Sequence, residues 1–301
     1  MWLKPVVLRD ADLTKRLSAE TTVAWCREAI LAAHRGELLA PPRAHADLGD
    51  GRFAFTAGRL VGRWYGYRSY DTLPTETGEQ TVVVHSEQSG RVEGVAVGKE
   101  IGPMRTGAIG GVAADALAAP EASTMGIVGC GPQAWMQLWA INAVRTLSGV
   151  SVFCRDPETR RRFAANASER YGLEVRAADS AEAAVSGAQI VVLATSSGTP
   201  VVDTGAIDGS AYVSTLGPKQ IGRAEFDDSL ARRAGLIVTD SLPQLRAYDP
   251  PFVLRDTEHE KRIVSLGSVL AGDTQPRPGT LFCSVGLAGT EAYLVARLLG
   301  L

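Results

Sequence analysis

Two rhythms divide the chain. Leu17, Val23, Ala24, Ile30 and Leu31 recur at roughly helical spacing and predict a helix over 14–36. Residues 51–97 predict short strands broken by glycine and polar turns; "TVVVHS" (81–86) and "RVEGVAVG" (91–98) flank "EQSG" as a hairpin. The stretch "MRTGAIGGVAADALAAP" (104–120) is rich in alanine and glycine and predicts a tightly packed helix ended by Pro120. Beyond Pro120, apolar runs at 125–129, 150–154, 189–194, 211–216 and 235–239 alternate with helical stretches. That alternation predicts a parallel sheet with helices on its faces. The tail "LFCSVGLAGTEAYLVARLLGL" ends in an apolar helix with no obvious strand to follow. The expected fold class is α/β: a Rossmann-type, doubly wound parallel sheet domain over 120–283 plus a second, α+β domain over 1–119. The final helix, 284–301, is expected to return to that second domain.

Composition narrows the class. The 301 residues exceed what one core usually serves, which fits two domains. Hydrophobic residues are 45% and charged residues 21%, as in soluble globular proteins. A net charge of −2 gives no reason to expect nucleic acid or a membrane surface as partner. No apolar run reaches the ~18 residues of a membrane span. The start, "MWLKPVVLRDADL", has acids too early and an apolar run too short for a secretory leader. Cys26, Cys130, Cys154 and Cys283 are far apart with no metal spacing. Reduced thiols in a cytoplasmic protein without a metal site are expected.

The stretch "MGIVGCGPQAWMQLWAINAVR" (125–145) runs strand, glycine turn, helix. Gly129, Gly131 and Ala134 fit G-x-G-x-x-(G/A). The first glycine allows the tight turn, the second admits a pyrophosphate, and the third small residue lets helix pack on strand. The helix start then offers free N–H groups and a positive dipole to phosphate. Pro132 suits the first helical turn. The strand before it and the alternation after it are the context such a motif requires. At the tip of the next strand an NAD site usually carries an acid. Here Cys154 stands there, followed by Arg155, whose guanidinium suits a 2′-phosphate. NADP(H) is therefore preferred; Asp156 keeps NAD(H) open. Arg155, Arg160, Arg161 and Arg162 also read as a solvated helix start.

Taken in order, "PPRAHAD", "YGYRSYDT", "SGRVEGVAVGKEIGPMRTGA", "GIVGCGPQA", "VVLATSS", "STLGPKQIGRAEFD" and "LFCSVGLAGTEA" resemble the ornithine cyclodeaminase and mu-crystallin family. The resemblance covers roughly residues 40–295. It implies a homodimer of two-domain subunits, the nucleotide domain inserted between parts of a substrate-binding and dimerisation domain. It implies hydride transfer at the Cα of an amino or imino acid. By resemblance, Arg43 and Arg105 match arginines that clamp the substrate carboxylate, a role that a planar guanidinium fits.

The departures narrow this further. The family usually has lysine where this chain has Arg68, and its cyclodeaminases and alanine dehydrogenases have a catalytic aspartate where this chain has Lys219. Gly217, Gly222 and Glu225 set that register. A pocket with Arg43, Arg68, Arg105 and Lys219, lacking the usual acid, is expected to be strongly cationic. A second carboxylate on the substrate then fits better than the ammonium of ornithine or lysine. Lys219 and Arg68 are the catalytic candidates, Lys219 to hand a proton to nitrogen as hydride reaches carbon. Tyr67, Tyr70, His45 and Asp240 are spare groups. Thr195 and Ser196 follow the strand at 189–194 and, with Thr106, Gln133 and Ser284, are candidates to contact cofactor; each also reads as a capping or turn residue. The expected activity is NAD(P)-dependent reduction of a C=N bond beside a carboxylate. An amino-acid dehydrogenase, an ornithine cyclodeaminase, or a non-catalytic mu-crystallin-like binding protein are the alternatives.

Overall fold

A computed structural model describes residues 4–301; the first three residues of the opening stretch lie outside it. The chain forms two compact units, one running to Ile109 and taking in Gly286–Leu301, the other Gly110–Val285. The division falls inside one long helix.

The first unit is built on a seven-stranded sheet: β1 (Val6–Arg9), β2 (Leu38–Leu39), β3 (Ala44–Asp47), β4 (Arg52–Leu60), β5 (Trp64–Asp71), β6 (Gln80–Ser86) and β7 (Val92–Gly98). Their order is β1-β7-β6-β5-β4-β2, with β3 on β4. The expected hairpin is β6–β7, antiparallel, with a register shift between Val84 and His85. The single helix expected over 14–36 is two, α1 (Asp10–Arg16) and α2 (Ala19–His34). Ser18 separates them because its side chain accepts from the Thr21 N–H and starts a new helix.

Strands β4 and β5 alternate between buried and exposed positions over 54–59 and 64–68. Their inner faces carry Gly58 and Gly66, and the C-terminal helix Thr290–Leu299 lies on that face. A Cβ on Gly58 would come within 2.5 Å of the Gly289 Cα, and one on Gly66 within 3.0 Å of the Ala292 methyl. Glycine thus lets the helix start approach the sheet. The same alternation turns Arg68 inward, toward that helix start.

Helix α3 (Ile101–Leu117) begins three residues earlier than expected and ends before Pro120. The second unit follows. Strands β8 (Thr124–Val128), β9 (Gly149–Phe153), β10 (Val175–Ala177), β11 (Ile190–Leu193) and β12 (Tyr212–Thr215) precede a short hairpin, β13 (Lys219–Gln220) and β14 (Arg223–Ala224). Then come β15 (Leu236–Thr239), β16 (Ile263–Ser265) and β17 (Thr280–Cys283). The main sheet runs β10-β9-β8-β11-β12-β17-β15-β16, all parallel. Strand β17, unforeseen in the tail, lies between β12 and β15. Helices α4 (Pro132–Val144) and α5 (Pro157–Tyr171) follow β8 and β9. The strand order reverses at β8, since β9 and β10 lie on one side and β11 and β12 on the other. Ligands of such sheets bind outside the carboxyl ends of the strands at this reversal.

Candidate active site

The second unit places the glycine turn at the reversal. Gly129 has φ +121°, and a Cβ there would sit 2.3 Å from the Ala194 carbonyl oxygen, just past β11. Only glycine fits. Gly131 is the N-cap of α4, and the space where its Cβ would lie is open. Ala134 is fully buried between helix and sheet. Gln133, in the first turn of α4, buries its Oε1 without a hydrogen-bond partner. An open approach at Gly131 and a helix start that no side chain caps fit a dinucleotide pyrophosphate.

At the tip of β9, Arg155 is exposed and Cys154 half-buried. The Asp156 carboxylate accepts the Thr159 N–H at 2.6 Å and caps α5. The hydrogen bonds from Thr159 hold its carboxyl below the ordinary range, helped by Arg161 and Arg162. Arg160 folds back over the Phe153 ring and donates to the Cys154 carbonyl at 3.2 Å.

Past β11, Thr195 donates its N–H (3.0 Å) and hydroxyl (2.8 Å) to Glu225 Oε2. Glu225 Oε1 accepts the Gly217 N–H at 2.5 Å. Glu225 is fully buried. Burial raises its carboxyl above the usual value, against the lowering pull of Lys219 and of the hydrogen bonds from Thr195 and Gly217. Lys219 is 1% exposed and donates from Nζ to the Gly217 carbonyl at 2.6 Å. It is therefore an interior side chain and not a solvent-facing loop lysine. Its charge also bears on Cys283, whose thiol burial pushes up to about 12. Ser196 is exposed at the same strand end. Ser284 is buried; its N–H donates to the Thr215 carbonyl at 3.1 Å and its hydroxyl lies 3.5 Å from Asp240. Asp240 accepts the Val285 N–H at 2.8 Å and so fastens the chain past β17.

The first unit holds the arginines. Arg68 on β5 and Arg105 in the second turn of α3 converge on one oxygen of Glu291, at the start of the C-terminal helix. Arg68 Nη1 donates to Oε1 at 2.8 Å; Arg105 donates to the same atom from Nε at 2.9 Å and Nη2 at 2.5 Å. All three side chains are almost wholly buried. Burial alone would raise the Glu291 carboxyl, but Arg105 and Arg68 together hold it at about 2. Arg68 also donates from Nε to Gln80 at 2.9 Å and lies over the Tyr70 ring, 4.1 Å from its centroid. Arg43, before β3, lies 5.8 Å from the same ring. Gly286 has φ +89°; a Cβ on it would come within 3.0 Å of Arg105 Nη1 and 3.6 Å of Arg43 Nη2. Arg43, Arg68 and Arg105 are thus gathered in one place. The Thr106 hydroxyl donates to the Gly102 carbonyl at 2.9 Å, a bond within its own helix. Tyr67 faces outward from β5 and His45 is exposed on β3.

One expectation is overturned. The cationic residues do have acidic partners: Glu291 joins Arg68 and Arg105, and Glu225 stands by Lys219. Sequence reasoning used Glu225 only as a register mark and passed over Glu291. A single acid at the start of the otherwise apolar helix "TEAYLVARLLGL" was the available signal for the latter.

A two-unit α/β chain with a dinucleotide turn and a buried arginine cluster defines the class. The family model for the ornithine cyclodeaminase/mu-crystallin family matches residues 5–298, and the chain belongs to that family. It is 30% identical to an uncharacterized cyclodeaminase of Sinorhizobium fredii over 66% of this chain; the match spans 61% of that relative's own length. It is 28% identical to the iminosuccinate reductase of Paracoccus denitrificans over 73% of this chain and 69% of that one. Among solved structures it resembles the Thermococcus litoralis Delta(1)-pyrroline-2-carboxylate reductase in complex with NADH and L-proline. The TM-score is 0.89 at 25% identity, over 98% of this chain and 96% of that one.

Proposed function

We propose that this protein is a pyridine-nucleotide-dependent reductase of an imino acid that carries a second carboxylate, with NADPH preferred over NADH. The gathering of Arg43, Arg68 and Arg105 in one unit carries the reading. Guanidiniums hold carboxylates through paired, directional hydrogen bonds, as Arg68 and Arg105 already do with Glu291. The similarity to an iminosuccinate reductase, whose named substrate is a dicarboxylate imine, supports the same choice.

Bound nicotinamide supplies the hydride. The chain's own residues supply position and a proton. Gly129, Gly131 and the start of α4 seat the pyrophosphate, with Gln133 beside it. Thr195, held by Glu225, and Ser196 present the strand end to the nicotinamide half. The arginines fix the carboxylate so that the imine carbon is held in one pose, which removes much of the entropic barrier. Lys219 Nζ holds the proton that the substrate nitrogen takes up as its carbon is reduced, and a buried ammonium beside Glu225 suits that task. The preference for NADPH rests on Asp156. Its carboxylate is engaged in capping α5, while Arg155 stands exposed at the tip of β9, and a guanidinium there suits a 2′-phosphate.

The test is consumption of NADPH at 340 nm with imines formed from ammonia and 2-oxo acids. The expected order is oxaloacetate well ahead of pyruvate, with NADPH outpacing NADH and Arg155→Ala erasing that nucleotide preference. Faster cyclisation of ornithine would overturn the reading. So would tight nucleotide binding with no turnover of any imine, which is the signature of a binding protein.

A further inference from the structure

We propose that Cys130 and Cys154 form a reversible redox site that controls the nucleotide crevice: hydrogen peroxide joins them in a disulfide, and the bridged protein holds its dinucleotide less tightly. This rests on the reading above, that the turn Gly129–Gly131 seats the pyrophosphate.

Both residues belong to the second unit and stand at two neighbouring strand ends. Strands β8 and β9 run parallel with Val128 opposite Phe153, and the Gly129 N–H donates to the Phe153 carbonyl at 2.7 Å. Cys130 follows Gly129 and Cys154 follows Phe153. Paired strands lie about 4.8 Å apart, and a disulfide joins residues whose Cα atoms are about 4.4–6.8 Å apart. The register therefore brings this pair within bridging range. Both thiols are free and half-buried, so a small oxidant reaches them, whereas Cys26 and Cys283 are fully buried. The Cys154 thiol is a hydrogen-bond partner of Cys130 and, together with burial, pushes the Cys130 thiol up. Cys130 therefore stays protonated, and Cys154 is the first to meet the oxidant.

The Cys154 sulfur attacks the O–O bond of the peroxide. One oxygen stays on sulfur as a sulfenic acid; the other leaves as hydroxide and takes up the thiol's proton as water. The Cys130 sulfur then displaces the hydroxyl. An S–S bond forms, the S–O bond breaks, and the Cys130 proton leaves with the hydroxyl as a second water. The two sulfurs together lose the two electrons that the peroxide gains.

The bridge is made where the dinucleotide lies. In such sheets the pyrophosphate sits at the helix start and the ribose at the tip of the next strand, and Cys130 is in the first place, Cys154 in the second. A covalent bond draws the sulfurs closer than a hydrogen bond does, so the backbone must give. Gly129 cannot: its N–H is held by Phe153, and a Cβ on it would lie 2.3 Å from the Ala194 carbonyl oxygen. The movement falls on Cys130 and Gly131, the N-cap of α4 that faces phosphate, and on Cys154, whose thiol gives up the Asp156 carbonyl at 3.5 Å.

The experiment compares, by calorimetry, the NADPH Kd of protein reduced with dithiothreitol and desalted with that of the same protein after hydrogen peroxide. Oxidation is expected to lower the four free thiols to two and to give one linked peptide pair, carrying Cys130 and Cys154. Kd is expected to rise by about tenfold or more, the equivalent of one lost hydrogen bond to a charged phosphate. Dithiothreitol is expected to restore both thiols and affinity. Cys130→Ser and Cys154→Ser are each compared with themselves before and after peroxide, and each ratio is expected to stay within about twofold of one.

Four thiols surviving peroxide, a linked pair other than Cys130 and Cys154, or thiol loss that dithiothreitol does not reverse overturns the proposal. So does a bridge that leaves NADPH binding unchanged, or a serine variant that loses affinity as the parent does. Should a serine variant prove insoluble, the peptide map and the reversal by dithiothreitol decide the matter on the unaltered protein. Failure of the nucleotide reading looks different: the reduced protein itself binds neither NADPH nor NADH, and the redox control falls with it.

Discussion

Glu291 and Glu225 are the same side chain, both almost wholly buried, with opposite electrostatics. Two guanidiniums surround Glu291 and hold its carboxyl at about 2, although burial pushes the other way. Glu225 has two backbone N–H groups, one hydroxyl and the pull of Lys219, and burial wins, so its carboxyl is raised. Burial sets the penalty on a carboxylate, and the number of full positive charges within reach decides whether it is overcome. The first unit thus holds an anion that is fixed. The second holds one that stands nearer to taking up a proton, beside the lysine proposed as proton donor.

The largest expected effect breaks the first side of this comparison. Glu291→Ala leaves two buried guanidiniums without their shared carboxylate and is expected to cost about 3–5 kcal/mol, read from a urea unfolding midpoint at pH 7. The pH dependence has a definite sign. A carboxyl whose folded value lies below its ordinary 4.5 stabilises the fold above 4.5, and that stability is lost as pH falls toward about 2. The gap corresponds to about 3 kcal/mol at 1.4 kcal/mol per pH unit. Glu291→Gln is therefore expected to flatten the acid limb of the stability profile. Glu225 works in the opposite sense: its contribution is complete below the ordinary value and is lost as pH rises through the raised one.

These two carboxylates also mark the limit of what could be read from the chain. Strands β8, β11, β12 and β15 were legible because strands buried on both faces are near-continuous apolar runs, and β9 through its alternating buried Val150 and Val152. Strands β10 and β16 were not: each is three residues long and only partly buried at a sheet edge. Strand β17 was hidden because Leu281, Phe282 and Cys283, leading toward an apolar helix, cannot be told from the helix itself. The glycine turn was legible from local spacing, since its demands are met within six residues. The arginines were legible through their chemistry. Glu291 was not, since its partners lie 223 and 186 residues away in the chain and no local pattern announces them.

A smaller effect sharpens the second side. In Glu225→Gln the amide oxygen can still accept from Thr195, but its NH₂ then faces the Gly217 N–H. One buried donor loses its acceptor, which is expected to cost about 1–3 kcal/mol at pH 7. The cost should shrink as pH rises from 4.5 through the raised value, because the parent loses stability in that window and the amide does not titrate. A cost equal to that of Glu291→Ala, or one that grows with pH, would show that Glu225 is held as firmly as Glu291 and would erase the contrast.

The smallest effect isolates the hydrogen bond from burial. Asp156 accepts an N–H as Glu225 does, but on the exposed surface, where the bond to Thr159 competes with water. Its carboxyl is lowered where that of Glu225 is raised, so the direction follows from solvation and not from the kind of donor. Asp156→Ala removes the cap of α5 and is expected to lower the same urea midpoint by less than either glutamate change. The loss should persist in high salt, because a cap works through a short hydrogen bond while the fields of Arg161 and Arg162 are screened. A loss that vanishes with salt would make Asp156 a partner of those arginines instead. Its carboxylate would then stand among the groups that a 2′-phosphate must meet, and the case for NADPH at that strand tip would weaken with it.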